Sequence, residues 1–469
     1  MSSAAPATRT PSPEHAPAAV SPAGPATSRG PVAALAGVAL TALLLGAIEL
    51  GRDGSAAGSP GLAGAGQLVE WSLPVVTLAG RIAAVGTIGT LLFAAVLLPG
   101  GRVGLSSAGR RATVAASWWA VGWAAATALG AVLTLSRLVG APPTALTWSA
   151  VRVFVGDTGA GRAALLVVAL TAVLAFGARR CSRPVVARIL LAGALVALIV
   201  PVVLTGHSSG AGDHALAATT LAVHVVAAGV WVGGLLALVA HGRRSGELAG
   251  AVARFSPIAL LCLLVTALSG VVAAGAVLGG AAALLGALDS GYGWLLVAKT
   301  AALVVLGLLG WQHRRRTLPR LHAGEPGSFR RFAAVEVLVM LATLALAVAL
   351  ASSPPPQSAA AAATGSGSPV AAAPGTAADP MAGHDHGELS VAVLIDGERF
   401  HVAGPVAAGS RVTVHNSTVQ EGTITAADGS FDVVVPGRSL ITFLAPAEPG
   451  TYPFTNRHST TFGDVLVVE

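Results

Sequence analysis

Three stretches of the chain carry side chains that bind transition metals. In Thr205-Gly-His-Ser-Ser-Gly-Ala-Gly-Asp-His214, two imidazoles and a carboxylate (His207, Asp213 and His214) stand close together, and His224 follows ten residues later. Imidazole suits copper and zinc, and a carboxylate can complete such a site. The second stretch, Met381-Ala-Gly-His384-Asp-His386-Gly-Glu388, gathers a thioether, two imidazoles and carboxylates in one short segment, a donor set suited to Cu(I) or Cu(II). The third holds His458 near the C-terminus, with His415 further back. No nucleophile elbow, phosphate-binding loop or pair of catalytic carboxylates stands out, so no enzyme activity and no ATP-driven pumping are expected. The two cysteines, Cys181 and Cys262, lie in a basic loop and an apolar segment and suggest neither a disulfide framework nor a thiolate site.

The elements that must position these groups are membrane helices. Of 469 residues, 54% are hydrophobic and only 10% charged, and mean hydropathy is +0.74. A soluble domain carries about a quarter charged residues, so this chain cannot cover a water-facing surface. A spanning helix needs about 20 mostly apolar residues. Nine segments qualify, at 32–50, 72–99, 113–136, 162–178, 186–205, 215–240, 256–280, 293–312 and 332–351. The fourth is short and the second over-long, and Arg81 in the second marks an interfacial segment ahead of the true span. Residues 1–31 are rich in Ala, Pro, Ser and Thr and read as a disordered tail rather than a signal peptide.

The net charge of +7 does not point to nucleic acid, because arginines cluster in short runs between apolar segments. With the N-terminus inside, the tail and the loops near 100–112, 179–188, 241–255 and 313–331 hold eighteen arginines, and the outer loops hold four. This positive-inside bias predicts a protein of the cytoplasmic (inner) membrane with a cytoplasmic N-terminus. Nine spans then put the C-terminus outside. His207, Asp213 and His214 fall on an outer loop without arginine, and His224 lies inside the sixth span. Trp231 shares a helix face with His224 and reads as packing, while Gly233 and Gly234 permit close helix approach. An ionisable group inside a span is costly and usually has a role. Lys299, the only lysine, and Glu336 are such groups. They are expected too far apart to pair, with Glu336 meeting Arg331 or Arg254 instead.

Residues 352–387 form a Pro/Ala/Gly-rich linker that ends in the Met-His-Asp-His patch. After it, at 388–469, short β-branched segments such as RVTVHN, FDVVV and GDVLVVE alternate with Gly, Pro, Asp and Asn, the pattern of a small β-sandwich. The predicted fold is therefore mainly α: a bundle of about nine transmembrane helices over 32–351, followed by an extracytoplasmic all-β sandwich.

From His224 onward the sequence resembles the copper-resistance protein D (CopD) family. The features in order are His224-Val-Val-Ala-Ala-Gly-Val-Trp231-Val-Gly-Gly; Arg254-Phe255-Ser256; Tyr292-Gly293 with Lys299; the basic loop after Trp311; Arg331 with Glu336; and Pro354-Pro355. The resemblance covers about 200–356 and implies an inner-membrane protein of copper uptake or tolerance. The terminal domain resembles a cupredoxin through VTVHNSTVQEGTITAADGSFD and PGTYPFTNRHSTTFGDVLVVE, but Thr455-Asn456 and Gly422 stand where that fold's Cys and first His are expected. Without thiolate there is no blue-copper centre. The domain is then either a structural or docking module or a loose copper binder through His458.

The leading expectation is a protein that moves copper, as Cu(I) or Cu(II), across the lipid bilayer. The ion would pass from Met381, His384 and His386 to His207, Asp213 and His214, and then past His224. An extracytoplasmic copper chaperone is the expected partner. Two other classes remain open: an assembly or sensing factor that presents copper through the β-domain, and a b-type haem protein, which requires axial histidines on facing helices.

Overall fold

The computed structural model describes residues 29–51, 65–98, 104–205, 211–242, 247–278, 288, 290–317, 326–353, 392–396, 399–437, 439–457 and 459–469. Residues 1–28 of the predicted tail and most of the linker lie outside these residues, as do His207, Met381, His384, His386 and His458, while Arg29, Gly30 and Pro31, read as tail, already belong to a helix. Ten α-helices are described: α1 (Arg29–Gly51), α2 (Gln67–Leu92), α3 (Ser107–Val139), α4 (Trp148–Asp157), α5 (Gly159–Arg180), α6 (Pro184–Thr205), α7 (Ala211–His241), α8 (Leu248–Leu278), α9 (Gly291–Gln312) and α10 (Pro326–Ala351). The chain divides after Ala39, within α1, and everything from Leu40 onward forms the second unit.

Among the described residues nine helices, all but α4, are long and apolar enough to cross a membrane. The predicted span count holds, with two local differences. The span that looked short fills out to Gly159–Arg180, because Thr158 caps its start by accepting from Gly161 N at 3.0 Å. The long second span is one unbroken helix through Arg81, so no interfacial segment is split from it. Helix α2 is the most enclosed of the spans, and ten consecutive residues of it, Ala83–Leu92, are buried.

Lipid tails are as apolar as leucine, so helices associate in a bilayer through close packing rather than a hydrophobic drive. Glycine supplies the closest contact here. A Cβ on Gly89 of α2 would overlap the Gly233 carbonyl of α7, and one on Gly234 would run into the Phe255 ring of α8. The close approach expected at Gly233 and Gly234 is thus made on two different neighbours. Around it Phe93, Trp231, Leu238, Phe255 and Met340 form the main buried cluster, which joins α2, α7, α8 and α10.

Both α2 and α9 end in a π turn, Phe93–Leu97 and His313–Thr317. Such a turn loosens the i→i−4 ladder and frees carbonyls. Around the first one arginines supply the missing donors: Arg254 Nε donates to Leu97 O at 2.8 Å and Arg188 Nε to Ala95 O at 3.3 Å. Helix α3 ends on Gly140 in the left-handed conformation (φ 62°), which satisfies its last carbonyls.

The C-terminal domain is a sandwich of two four-stranded sheets, ordered β2-β1-β3-β6 and β5-β4-β7-β8. Its strands are β1 (Val393–Ile395), β2 (Phe400–Val402), β3 (Arg411–Asn416), β4 (Gly422–Ala426), β5 (Asp432–Val435), β6 (Ser439–Leu444), β7 (Gly450–Asn456) and β8 (Ser459–Val468). Strand alternation sends Val393, Ile395, Val412 and Val414 inward with Ile424, Phe454 and Leu466. The intervening row is Leu394, His401, His415 and Leu440, paired across the sheet by register. These residues belong to the sheet's other face yet are also buried. Part of the cover comes from the helices: Leu440 packs with Leu135, Leu138, Val139, Ala150 and Phe154 of α3 and α4. The sandwich therefore docks on the end of the bundle where α3 stops.

Candidate functional site

His224 sits half-buried on α7, thirteen residues after the helix begins at Ala211. Its Nδ1 lies 2.9 Å from Ser269 Oγ on α8, and Ser269 Oγ in turn donates to Val265 O at 2.6 Å. Gly270 leaves room for the ring, since a Cβ there would stand 3.8 Å from His224 Cε1. Thr266, one turn below Ser269, is buried and its hydroxyl has no partner. Lys299 of α9 is an electrostatic neighbour of His224, and Arg81 of α2 is one of Lys299. The surroundings of His224 are thus hydroxyls and positive charge.

Asp213 and His214 were expected on a loop but lie in the first turn of α7. Helix formation starts there because the apolar period of the sixth span already runs through Ala215 and Leu216. At 1.5 Å rise per residue, His214 and His224 are about 15 Å apart along one helix. They cannot hold one ion together, so the sixth span could only pass an ion in steps. Among the described residues, no three of His, Cys, Asp and Glu gather as a metal site. The thiols are no substitute. Cys181 and Cys262 are both buried, and burial pushes the Cys181 thiol up, partly offset by the Arg183 backbone.

Trp231 is scaffold, as expected: 5% exposed, within the main cluster. Lys299 is half-buried and does not pair with Glu336, also as expected. The expected partner of Glu336 was wrong. Glu336 Oε2 lies 2.9 Å from His313 Nε2, not on Arg254 or Arg331. Arg254 is committed to the Leu97 carbonyl and Arg331 is exposed. Hydropathy ended the eighth span at residue 312, whereas the π turn carries the helical path on and buries His313 between α9 and α10. The rings of Phe332 and Phe329 stand 4.6 and 5.5 Å from it.

In the sandwich, the positions where copper ligands were found wanting are closed by amides. Asn416 Nδ2 donates to the carbonyls of Gln420 (2.8 Å) and Val435 (3.0 Å), while Asn456 Oδ1 accepts from Thr423 N at 3.1 Å. Gly422 lies beside both asparagines. His415 faces away from this end, on the sheet face that also holds His401. His401 Nε2 lies 2.6 Å from Asp396 Oδ2, a buried contact that the sequence reading did not single out.

The fold and the site together define a class: a polytopic membrane protein with a docked β-sandwich and a sparse set of polar groups inside its helices. Residues 249–350 match the family model of copper resistance protein D (CopD), and this bears out the resemblance read from the sequence. The match takes in α8, α9 and α10 with Ser269, Lys299, His313 and Glu336; His224 and Trp231 lie just before it. No curated protein and no solved structure matches the chain.

Proposed function

We propose that the chain moves copper across the cytoplasmic membrane, with its N-terminus inside and its β-domain outside. The observation that carries this reading is the CopD match on α8–α10, where α8 supplies Ser269 against His224 and α9 supplies the Lys299 charge near it. The eighteen arginines that the sequence assigns to the tail and alternate loops support the orientation. Met381, His384 and His386 would gather the ion, and His207, Asp213, His214 and His224 would hand it down α7. In this reading the β-domain, cupredoxin-like in its sequence, is a docking module with an amide-filled site. The chain acts as a carrier rather than an enzyme, fed by an extracytoplasmic copper chaperone.

The test is cellular copper content with and without the protein, and its sign gives uptake or export. Replacing His207, His214 and His224 together by Ala should abolish the difference. An unchanged copper content in that triple variant, with the protein present in the membrane, refutes the route.

A further inference from the structure

We propose that His313 and Glu336 form a proton-binding site at the arginine-rich end of the bundle, through which copper passage is coupled to proton transfer. The proposal rests on the reading that this bundle moves copper.

The geometry points to a proton rather than a metal. Glu336 is 4% and His313 7% exposed, and among the described residues Glu336 is the one buried carboxylate. Their Nε2 and Oε2 atoms approach to 2.9 Å without the alignment of a hydrogen bond, so a small turn of either side chain would let one proton bridge them. With one proton between them the pair is neutral, as imidazole and acid or as imidazolium and carboxylate. A second proton leaves a buried +1 charge, and loss of the proton a buried −1. Phe329 and Phe332 wall the ring, so the pair is shielded from water. His313 Nδ1 is buried without a hydrogen-bond partner, which leaves the far side of the ring able to take or give a proton when water reaches it.

No second ligand stands ready for a metal, because the nearby charges are cationic. Arg314 Nη2 is turned to Ser256 O on α8 at 2.7 Å, Arg315 stacks over Trp311 at 4.6 Å, and Arg316 and Arg331 are exposed. The site also stands on a π turn, a feature that often marks functional positions, where α9 meets α10. The step balances simply. Hydronium gives one proton to the pair and becomes water, the proton bonds to Glu336 Oε2 or His313 Nε2, and the reverse step returns it. No electron moves.

The alternative is a helix clamp, in which the pair only fixes α9 against α10. The two separate by experiment. Purified protein is placed in phosphatidylcholine vesicles that hold a pH-sensitive dye, and copper is added outside. Wild type should move protons with copper; Glu336→Gln should lose that proton movement about tenfold or more, and Glu336→Asp should restore it. A clamp predicts instead that Glu336→Gln lowers copper and proton movement together, with the ratio and the pH profile unchanged, and that result overturns the proposal. Wild type that moves copper with no protons overturns it too, whereas wild type that moves no copper defeats the transport reading itself. A readout independent of transport is pH-difference infrared spectroscopy of the wild type. A protonated-carboxyl band that Glu336→Gln removes is expected, and its absence across the whole accessible pH range overturns the proton site even if the variants fail to fold.

Discussion

Adding one methyl group at Gly89 should separate two helices that the whole bundle depends on. A Cβ there would fall on the Gly233 carbonyl, and the reciprocal Cβ on Gly233 would stand 2.6 Å from the Val85 carbonyl oxygen and 2.9 Å from Gly89 N. These are backbone atoms, so no side chain can rotate away, and ordinary contact begins at 3.4 Å. Relief requires α2 and α7 to part by about 1 Å, and a gap of that size forfeits a quarter to a half of each van der Waals well along the seam. With a few tens of contacts of about 0.15 kcal/mol each, the loss is about 1–3 kcal/mol, the usual range for overpacking. The better helix propensity of Ala returns at most about 1 kcal/mol. Gly89→Ala should therefore destabilise the bundle by about 2 kcal/mol, with Gly233→Ala somewhat milder. Gly46→Ala on α1, where a Cβ would meet nothing within 4 Å, should be neutral or slightly stabilising. The assay is thermal unfolding of the purified protein in one detergent, read by loss of Trp fluorescence. If Gly89→Ala melts at or above wild type while Gly46→Ala behaves as stated, the packing argument fails.

Two further expectations concern the β-domain and the charge beside His224. Leu440, 3% exposed among the α3 and α4 side chains, anchors the sandwich to the bundle, so Leu440→Asp should release the domain without melting it. Limited proteolysis of intact vesicles should then cut the linker at least tenfold faster, and an unchanged rate refutes the docking. Lys299→Gln removes a positive charge beside His224 and should speed copper passage. Coulomb repulsion scales with ionic charge, so a tenfold gain for Cu(I) implies about a hundredfold gain for Cu(II). Equal gains under reducing and oxidising conditions would show that Lys299 does not face the path.

The spans were legible because a bilayer imposes a length and an apolarity that few other structures share, and the sandwich because β-branched segments alternate between turn residues. Pairings were harder to read. Nothing local in the sequence marks His313 and Glu336 as partners, since their meeting depends on a π turn at the end of α9 that hydropathy cannot register. Helix α4 was absorbed into a loop because its ten residues are too few to span and its apolar face is matched to the protein rather than to lipid. The buried row Leu394, His401, His415 and Leu440 reads as an outward strand face until a second surface is placed against it. Trp231, Gly233 and Gly234 were read correctly because residue size alone determines what they do.

The two polar sites impose a condition on any coupling between them. His224 and the end of α7 at His241 are separated by about 25 Å of helix, and the His313–Glu336 pair belongs to that far end. Copper near His224 and a proton on Glu336 are therefore too distant for direct exchange, and in a partly solvated protein their Coulomb interaction is weak. Coupling has to run through packed elements with two arrangements. Trp231 and Leu238 of α7 share one buried cluster with Val337 and Met340 of α10, and Glu336 stands next to Val337 on that same helix. A shift of α10 that breaks the His313 contact would thus be felt against α7 below His224. Close packing at Gly89 and Gly233 holds α7 to α2, so a shift of α10 is expected to leave that seam in place.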